Sequence, residues 1–351
     1  MDDVYQSLAT HLDNLPAGYP PTESGVELRI LKRLFSPSEA EIAMTLTMMP
    51  ESVEAIAQRL DMPADELAPV LKDMAYKGLI VTSSRGGQTT YGAAQFMIGI
   101  WEYHVNSLDE GLIKDFNEYV PHLMKANLEN KTKQLRVIPI SKKITGDARI
   151  MAYEDAENII RSQSKIAVAP CICRTEHAMV GKGCDKPRGN CLVFAGGAYY
   201  YEETKLGRSI SQDEALEILK EGIAAGLVLQ PGNSQKPMNI CMCCDCCCQI
   251  LKNIKNQPKP GEVVNSSYFA VVDEEECTVC GVCEERCPMD AITIDDVAVV
   301  ALERCIGCGV CAGSCDFEAI VLASKDEDAR WIPPSSTVET YINIAKERGK
   351  I

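Results

Sequence analysis

The chain has 351 residues, enough for two or three domains with a sizeable core, and its hydrophobic content of 46% is ordinary for a globular protein. No run of 18 apolar residues is present, so no membrane span is expected, and a net charge of −15 argues against nucleic acid as a partner. Eighteen cysteines behind a start that lacks an export pattern favour metal ligands over disulfides, in a reducing cytoplasm.

Residues 1–24 are polar and contain three prolines, so we expect an N-terminal arm with at most a short helix. The pattern over residues 25–105 then predicts helix, turn, helix and β-hairpin, and a capping signature begins a helix at Ser36. Apolar residues keep the helical period over 63–77, and two short strands follow. This order of elements resembles a winged-helix domain.

Charge decides between two functions for the winged-helix-like segment. The predicted recognition helix begins with Pro63-Ala64-Asp65-Glu66, where DNA-binding members usually carry basic or amide side chains. Between Thr22 and His104 there are eleven acidic and seven basic residues. The balance favours a protein-interaction module, with a homodimer through this segment as one form of it, over DNA binding.

A helical connector is predicted over residues 106–148, and a cysteine-rich α/β domain over residues 149–260. In that domain an apolar strand over 165–169 leads straight into Pro170-Cys171-Ile172-Cys173-Arg174, so rigid backbone would support the first cysteines. A capped helix over 213–225 and a short strand precede a second, denser group of cysteines.

Ten cysteines of the middle domain are candidate metal ligands, because a group this dense would be a redox liability unless metal held it. They are Cys171, Cys173, Cys184 and Cys191, followed by Cys241, Cys243, Cys244, Cys246, Cys247 and Cys248.

The run from Cys241 to Cys248 can face two sites at once. Adjacent side chains diverge, so neither the pair Cys243 and Cys244 nor the pair Cys247 and Cys248 is expected to serve a single site. An extended run places residues 244, 246 and 248 on one face and 241, 243 and 247 on the other, whereas a helical run pairs 244 with 248 and 243 with 247. Ten thiols suffice for two cubanes, for one cubane and a structural zinc, or for a larger or non-cubane iron–sulfur cluster with bridging thiolates.

Four basic residues lie close in sequence to the first cysteines, namely Arg174, Lys182, Lys186 and Arg188. Positive charge beside a cluster raises its reduction potential, and the same residues could seat an anionic substrate or simply form a solvated loop. His177 is the histidine nearest these cysteines in the sequence, but with ten thiols at hand we do not expect it to be a ligand.

The region over residues 261–324 holds eight more cysteines at a repeated three-residue spacing. They are Cys277, Cys280, Cys283 and Cys287, followed by Cys305, Cys308, Cys311 and Cys315. Short strands are predicted before and after each set, and residues 325–351 form a tail that ends in a capped helix. Zinc sites rarely repeat this spacing, so iron–sulfur clusters are expected.

This stretch resembles the bacterial two-cluster ferredoxins. The resemblance implies two [4Fe-4S] clusters with interlocking ligands. One cluster would take Cys277, Cys280, Cys283 and Cys315, and the other Cys287, Cys305, Cys308 and Cys311. Pro288 follows the fourth cysteine of the first set, whereas Asp316 stands where the second set would have proline. Between Asp273 and Glu318 there are twelve acidic and two basic residues, which predicts a partner with a basic docking face.

The whole order resembles the multidomain 4Fe-4S dicluster proteins of anaerobic bacteria, with an α+β fold. That resemblance implies an electron-transfer protein or subunit of an oxidoreductase system, passing low-potential electrons through two ferredoxin-type clusters and further clusters in the middle domain. Two alternatives stay open. One is an oxidoreductase whose middle cluster binds substrate near Arg174 and His177, and the other is a redox-sensing winged-helix regulator.

Overall fold

The computed structural model describes residues 3–85, 87–140, 144–145 and 150–351, and the fold is α+β. The helices are α1 Val4–Asn14, α2 Val26–Leu34, α3 Pro37–Ala43, α4 Val53–Leu60, α5 Ala64–Tyr76, α6 Trp101–Tyr103, α7 Glu110–Glu129, α8 Ala156–Arg161, α9 Ile172–Met179, α10 Ala195–Glu203, α11 Gln212–Ala224, α12 Gln249–Lys255, α13 Val282–Arg286, α14 Val310–Gly313 and α15 Thr337–Glu347. The strands are β1 Glu51–Ser52, β2 Ile80–Arg85, β3 Gln88–Ala93, β4 Ile144–Thr145, β5 Ile166–Ala169, β6 Cys191–Phe194, β7 Arg208–Ile210, β8 Val228–Pro231, β9 Asn239–Cys243, β10 Tyr268–Val272, β11 Ile292–Ile294, β12 Ala298–Val300 and β13 Ile320–Ser324. The boundary predicted between residues 148 and 149 lies outside the described residues.

The N-terminal region packs α1–α5 against a three-stranded antiparallel sheet of order β1-β3-β2. Two of the predicted helices begin at side-chain caps: Ser36 and Glu39 form a reciprocal capping box at α3, and the Ser52 side chain caps α4. Residues 1–24, which we predicted to be an arm, contain α1, whose Leu8 and Leu12 are buried in the same core as α2. The N-terminal helix therefore belongs to the packed region.

The connector, which we predicted to be helical, contains the longest described helix, α7, and this helix begins at an Asp109 cap. Asp115 on this helix accepts hydrogen bonds from Arg29 and Arg33 of α2. Trp101 stacks on Phe116 with ring centroids 3.5 Å apart. These contacts fasten the N-terminal region to the rest of the chain.

The middle region is built on a five-stranded sheet of order β7-β5-β6-β9-β8, and every strand pair in it is antiparallel. The prediction of an α/β domain is therefore wrong for this region, which is α+β. The error has a physical reason: helices alternate with strands along the chain here, but α9 and its loop return the chain against β5 instead of crossing over to a parallel strand.

In residues 261–324, which we call the ferredoxin-like region after their sequence resemblance, β10 pairs with β13 antiparallel. Strand β4, from the connector, joins β13 in parallel. The second sheet of this region is the β11–β12 hairpin. The C-terminal helix α15 returns to the other end of the chain, where the Arg348 guanidinium donates to the backbone carbonyls of Asp13, Leu15 and Pro16. The tail predicted from the sequence is thus tied to the body of the protein.

Candidate metal centres

The eight ferredoxin-like cysteines form two groups, each lining its own small cavity of about 20 Å³. The outer quartet comprises Cys277, Cys280, Cys283 and Cys315. The inner quartet comprises Cys287, Cys305, Cys308 and Cys311. In each group the fourth cysteine comes from the other sequence set, which is the grouping that the resemblance implies.

Glycines allow the cysteine turns to close. Gly281 and Gly309 precede α13 and α14 with φ of 79° and 75°, a left-handed conformation that costs glycine little. Gly307 has φ of 69°, and a Cβ added there would lie 2.1 Å from the Tyr268 carbonyl oxygen. The second turn can therefore pack on β10 only because residue 307 has no side chain.

Burial distinguishes the two quartets. Cys280 of the outer quartet is exposed, whereas Cys308 and Cys311 of the inner quartet are buried. Burial raises the pKa of the Cys308 thiol well above its ordinary value, and that of Cys287 is also raised. Because the protein alone disfavours these thiolates, a bound cation would be needed to stabilise them.

Six of the ten middle cysteines line one larger cavity of about 210 Å³, which we call the six-thiol cavity. They are Cys171, Cys173, Cys191, Cys241, Cys243 and Cys248. Neighbouring thiols shift one another's pKa in a continuous series: 171 with 173, 173 with 248, 248 with 243, 243 with 241, and 241 with 191. The strand β9 and the starts of α9, β6 and α12 supply them.

The thiols of this series alternate in acidity. Hydrogen bonds from neighbouring thiols lower the pKa of Cys171, Cys241 and Cys248 below the ordinary value. The same hydrogen bonds, together with burial, raise the pKa of their donors. Packed together, the six sulfurs form an electron-rich donor set suited to a soft, positively charged metal centre.

Side chains from distant segments complete the cavity wall, including Glu102, Gln134 and Tyr341. Burial raises the pKa of Glu102 to about 8, although its carboxylate accepts a hydrogen bond from the Gly99 backbone N–H. Sequence reasoning missed these residues, because they lie far from any cysteine in the chain and carry no local signal.

The remaining four middle cysteines form a compact cluster, the four-thiol group: Cys184, Cys244, Cys246 and Cys247. All four sulfurs lie within 4.8 Å of one another, and the Sγ atoms of Cys247 and Cys184 are 3.7 Å apart. Cys246 is exposed, Cys184 is partly exposed, and Cys244 and Cys247 are buried.

The dense cysteine run divides in a way that neither predicted pattern describes. It is a strand up to Cys243, then a turn closed by a hydrogen bond from the Cys248 N–H to the Cys244 carbonyl oxygen. The extended and helical groupings are therefore both wrong, because the backbone changes conformation within the run. The adjacent pairs 243–244 and 247–248 do diverge to different groups, as expected, and the run faces two sites.

The four basic residues near the first cysteines have separate roles. Arg174 is 1% exposed, and its guanidinium donates to the Met242 carbonyl oxygen at 3.0 and 3.1 Å and to the Asn190 side chain. Lys186 donates to the Ala225 carbonyl oxygen, while Lys182 and Arg188 are exposed. The four residues do not form one anion-binding patch, because Arg174 is enclosed in the protein.

Arg174 lies between the two middle groups of thiols. Its Nη1 is 3.7 Å from the Cys244 Sγ. Burial acts to lower the pKa of Arg174, but interactions with the sulfurs of Cys171, Cys244 and Cys243 outweigh that effect and raise the pKa above its ordinary value. The guanidinium is thus a fixed positive charge that compensates both groups.

His177 is buried, and both of its ring nitrogens have partners. Nδ1 lies 2.9 Å from the Cys173 carbonyl oxygen, and Nε2 lies 3.2 Å from the Lys252 Nζ. The ring therefore orients the backbone behind Cys173 and is not among the residues that surround either middle group of thiols.

One comparison with known proteins is positive: the family described as "4Fe-4S binding domain" matches residues 270–293. No curated protein and no solved structure matches the chain. The match spans three cysteines of the outer quartet and Cys287 of the inner quartet. Together with the cysteine groups, it supports an iron–sulfur protein with an electron-transfer function in general terms. Within the described residues, no helix combines the length and apolar character needed to cross a membrane.

Proposed function

We propose that this chain is an electron-transfer iron–sulfur protein, in which the outer and inner quartets each bind a [4Fe-4S] cluster and the six-thiol cavity binds a further iron–sulfur centre. Bound clusters would supply low-potential one-electron steps, near −400 mV for ferredoxin-type clusters. Electrons would enter at the exposed outer quartet and leave or react at the six-thiol cavity.

The observation that carries this proposal is the continuous apolar packing between the three sites. One buried cluster of side chains contains Cys283 and Cys311, one from each quartet. A second buried cluster contains Cys308 of the inner quartet together with Cys243 and Cys248 of the six-thiol cavity. Electron transfer weakens steeply with distance, so ligands that share a buried cluster favour transfer in this order.

Two polar links hold the same elements in register. Lys255 of α12 forms ion pairs with Asp245 in the cysteine turn and with Asp290 in the ferredoxin-like region. The Arg304 guanidinium donates to the carbonyl oxygens of Met289 and Lys255. The inner quartet and the six-thiol cavity are therefore supported by a shared rigid element, α12.

The number of thiols supports an unusual centre in the six-thiol cavity. A cubane takes four cysteine ligands, so six thiols exceed the needs of one cubane and are too few for two. The cavity is about ten times the volume enclosed by either quartet. A larger or non-cubane iron–sulfur cluster with bridging thiolates fits this donor set best.

Partner docking would use two surfaces. The exposed acids Glu274, Glu275 and Glu276 directly precede Cys277, so a redox partner with a basic face would be guided to the outer quartet. The winged-helix-like region would bind a second partner protein or a second copy of the chain. Asp65 and Glu66 are exposed in the first turn of α5, which disfavours DNA at that helix.

The test is metal analysis and EPR on anaerobically purified protein, comparing Cys248→Ser with Cys280→Ser. We expect more than about eight irons per chain, since two cubanes account for eight. Cys248→Ser should lose the irons in excess of eight, together with the EPR signal of the centre in the six-thiol cavity. Cys280→Ser should perturb a ferredoxin-type EPR signal and retain the centre in the six-thiol cavity. About eight irons in both wild type and Cys248→Ser would refute the third centre, and fewer than eight in wild type would refute the paired clusters.

The size of the six-thiol cavity also favours a second candidate, an oxidoreductase that reduces a bound substrate there. The wall beyond the thiols is mainly apolar, with Met97, Ile98 and Tyr201, and carries Glu102 and Gln134 as polar groups. The predicted substrate site at Arg174 and His177 is replaced by this cavity, because both side chains are engaged within the protein. Candidate substrates should change one EPR signal that Cys248→Ser removes; unchanged spectra across candidate anions and small neutral acceptors would argue for electron transfer alone.

A further inference from the structure

The four-thiol group differs from the other cysteine groups in its compactness. All of its sulfurs lie within 4.8 Å of one another, and one pair is 3.7 Å apart. Each ferredoxin-like quartet instead surrounds a cavity, and the six other middle thiols surround a larger one.

This spacing has the dimensions of a single-ion site. A zinc–thiolate bond is about 2.3 Å long, so the sulfurs of a regular ZnS₄ tetrahedron are separated by about 3.8 Å. A cubane places four irons and four sulfides between its ligands, so its thiolates must stand much farther apart. The observed separations therefore fit one ion and leave no room for a cubane.

The surroundings fit the charge of such a site. Four thiolates and a divalent cation carry a net charge of −2, and the Arg174 guanidinium lies 3.7 Å from the Cys244 Sγ. Arg174 Nε is buried and has no hydrogen-bond partner among the described residues, so part of the guanidinium charge is uncommitted.

We propose that Cys184, Cys244, Cys246 and Cys247 bind one zinc ion in a closed, tetrahedral, structural site. Four protein ligands leave no open position for water or substrate, as in structural zinc sites generally. This inference does not rest on the proposed electron transfer.

The position of the site explains what the ion would do. Cys184 lies in the loop between α9 and β6, and the other three ligands lie in the turn between β9 and α12. Zinc would join these two segments, and the elements on either side of them carry Cys173, Cys191, Cys243 and Cys248 of the six-thiol cavity. The zinc site would therefore fix the spacing of the ligands for the redox centre without itself changing oxidation state.

Zinc K-edge X-ray absorption on the wild-type protein, with zinc and iron counted in the same samples, tests the proposal. The matched variants are Cys246→Ser, at the exposed ligand of the group, and Cys280→Ser, at an exposed cysteine of the outer quartet. We expect about one zinc per chain, with four sulfur ligands at about 2.3 Å. Cys246→Ser should lower zinc content severalfold, whereas Cys280→Ser should retain it.

Three outcomes would overturn the proposal. The first is wild-type protein that contains no zinc, and the second is zinc bound to fewer than three sulfurs. The third is a Cys246→Ser variant that loses about four irons and no zinc, which would indicate a cubane at these four cysteines. Failure of the electron-transfer proposal would appear separately, as an iron count that Cys248→Ser does not change.

Discussion

Replacing Arg174 by methionine tests whether a single buried guanidinium holds the two middle groups of thiols together. Methionine has a similar length and tolerates burial, so the substitution removes the charge and the donors with little change in volume. Arg188→Met is the matched control, because Arg188 lies in the loop that follows α9 and is exposed.

The expected cost follows from the hydrogen bonds of Arg174. The substitution leaves the Met242 carbonyl oxygen and the Asn190 side chain without their charged donor. Hydrogen bonds to charged groups contribute about 1.5–3 kcal/mol each, so two lost acceptors imply about 3–6 kcal/mol. With an unfolding entropy of about 2.1 cal/mol/K per residue, a chain of 351 residues would lose roughly 4–8 °C in Tm.

Differential scanning calorimetry of the anaerobic proteins at one scan rate measures this difference, since unfolding of a metalloprotein of this size is expected to be irreversible. Arg188→Met should lie within about 1 °C of wild type, as surface substitutions usually change stability by less than 0.5 kcal/mol. A Tm for Arg174→Met equal to that of Arg188→Met would refute the role assigned to the buried guanidinium.

Three further predictions concern other parts of the molecule. Burial raises the pKa of Glu102 to about 8 in the folded state, whereas a Glu in the unfolded chain has a pKa near 4.3. Between these two values the folded state binds more protons than the unfolded state. The free energy of unfolding should therefore fall as the pH rises through that window, by at most about 1.4 kcal/mol per pH unit. Glu102→Gln should flatten the Tm profile between pH 6 and 8 relative to wild type, whereas Glu41→Gln, at an exposed position, should follow wild type; parallel profiles for all three proteins would contradict the assignment. Arg348→Ala removes the donor to three backbone carbonyl oxygens near the N-terminus and should lower the free energy of unfolding by about 2–4 kcal/mol, measured by calorimetry. The control Arg161→Ala, at an exposed position, should change it little. Equal losses of stability in both variants would mean that α15 is held by other contacts. Finally, reduction of a basic c-type cytochrome by the dithionite-reduced protein should slow with increasing ionic strength, and it should slow severalfold in the double variant Glu275→Lys/Glu276→Lys. Glu217→Lys/Glu221→Lys, at two exposed positions of α11, makes the same change in net charge and is the control. A rate that depends on neither salt nor the charges at 275 and 276 would exclude the acidic surface as the docking face.

The sequence by itself determined those features that depend on local spacing. The repeated three-residue intervals and their glycines are enough to form each cysteine turn, and the match to a 4Fe-4S binding domain falls on one of them. Capping residues likewise determined the starts of α3, α11 and α15 close to where they were predicted, because a cap acts within four residues. The dense run of six cysteines indicated metal, and its adjacent pairs indicated two sites.

Only the tertiary structure decided how the ten middle cysteines divide into six and four. Their partners are supplied by α9, β6, β9 and α12, and the approach of elements 50 or more residues apart depends on sheet order and strand direction, which periodicity does not encode. The same holds for Glu102 and Arg174. Glu102 reaches the six-thiol cavity from the N-terminal half, and Arg174 is buried between two groups of thiols, although Lys182 and Arg188 in the following loop are exposed. The sequence gives the type of each ionisable side chain. Its burial, and therefore its pKa and its partners, depends on the packing of segments that are distant along the chain.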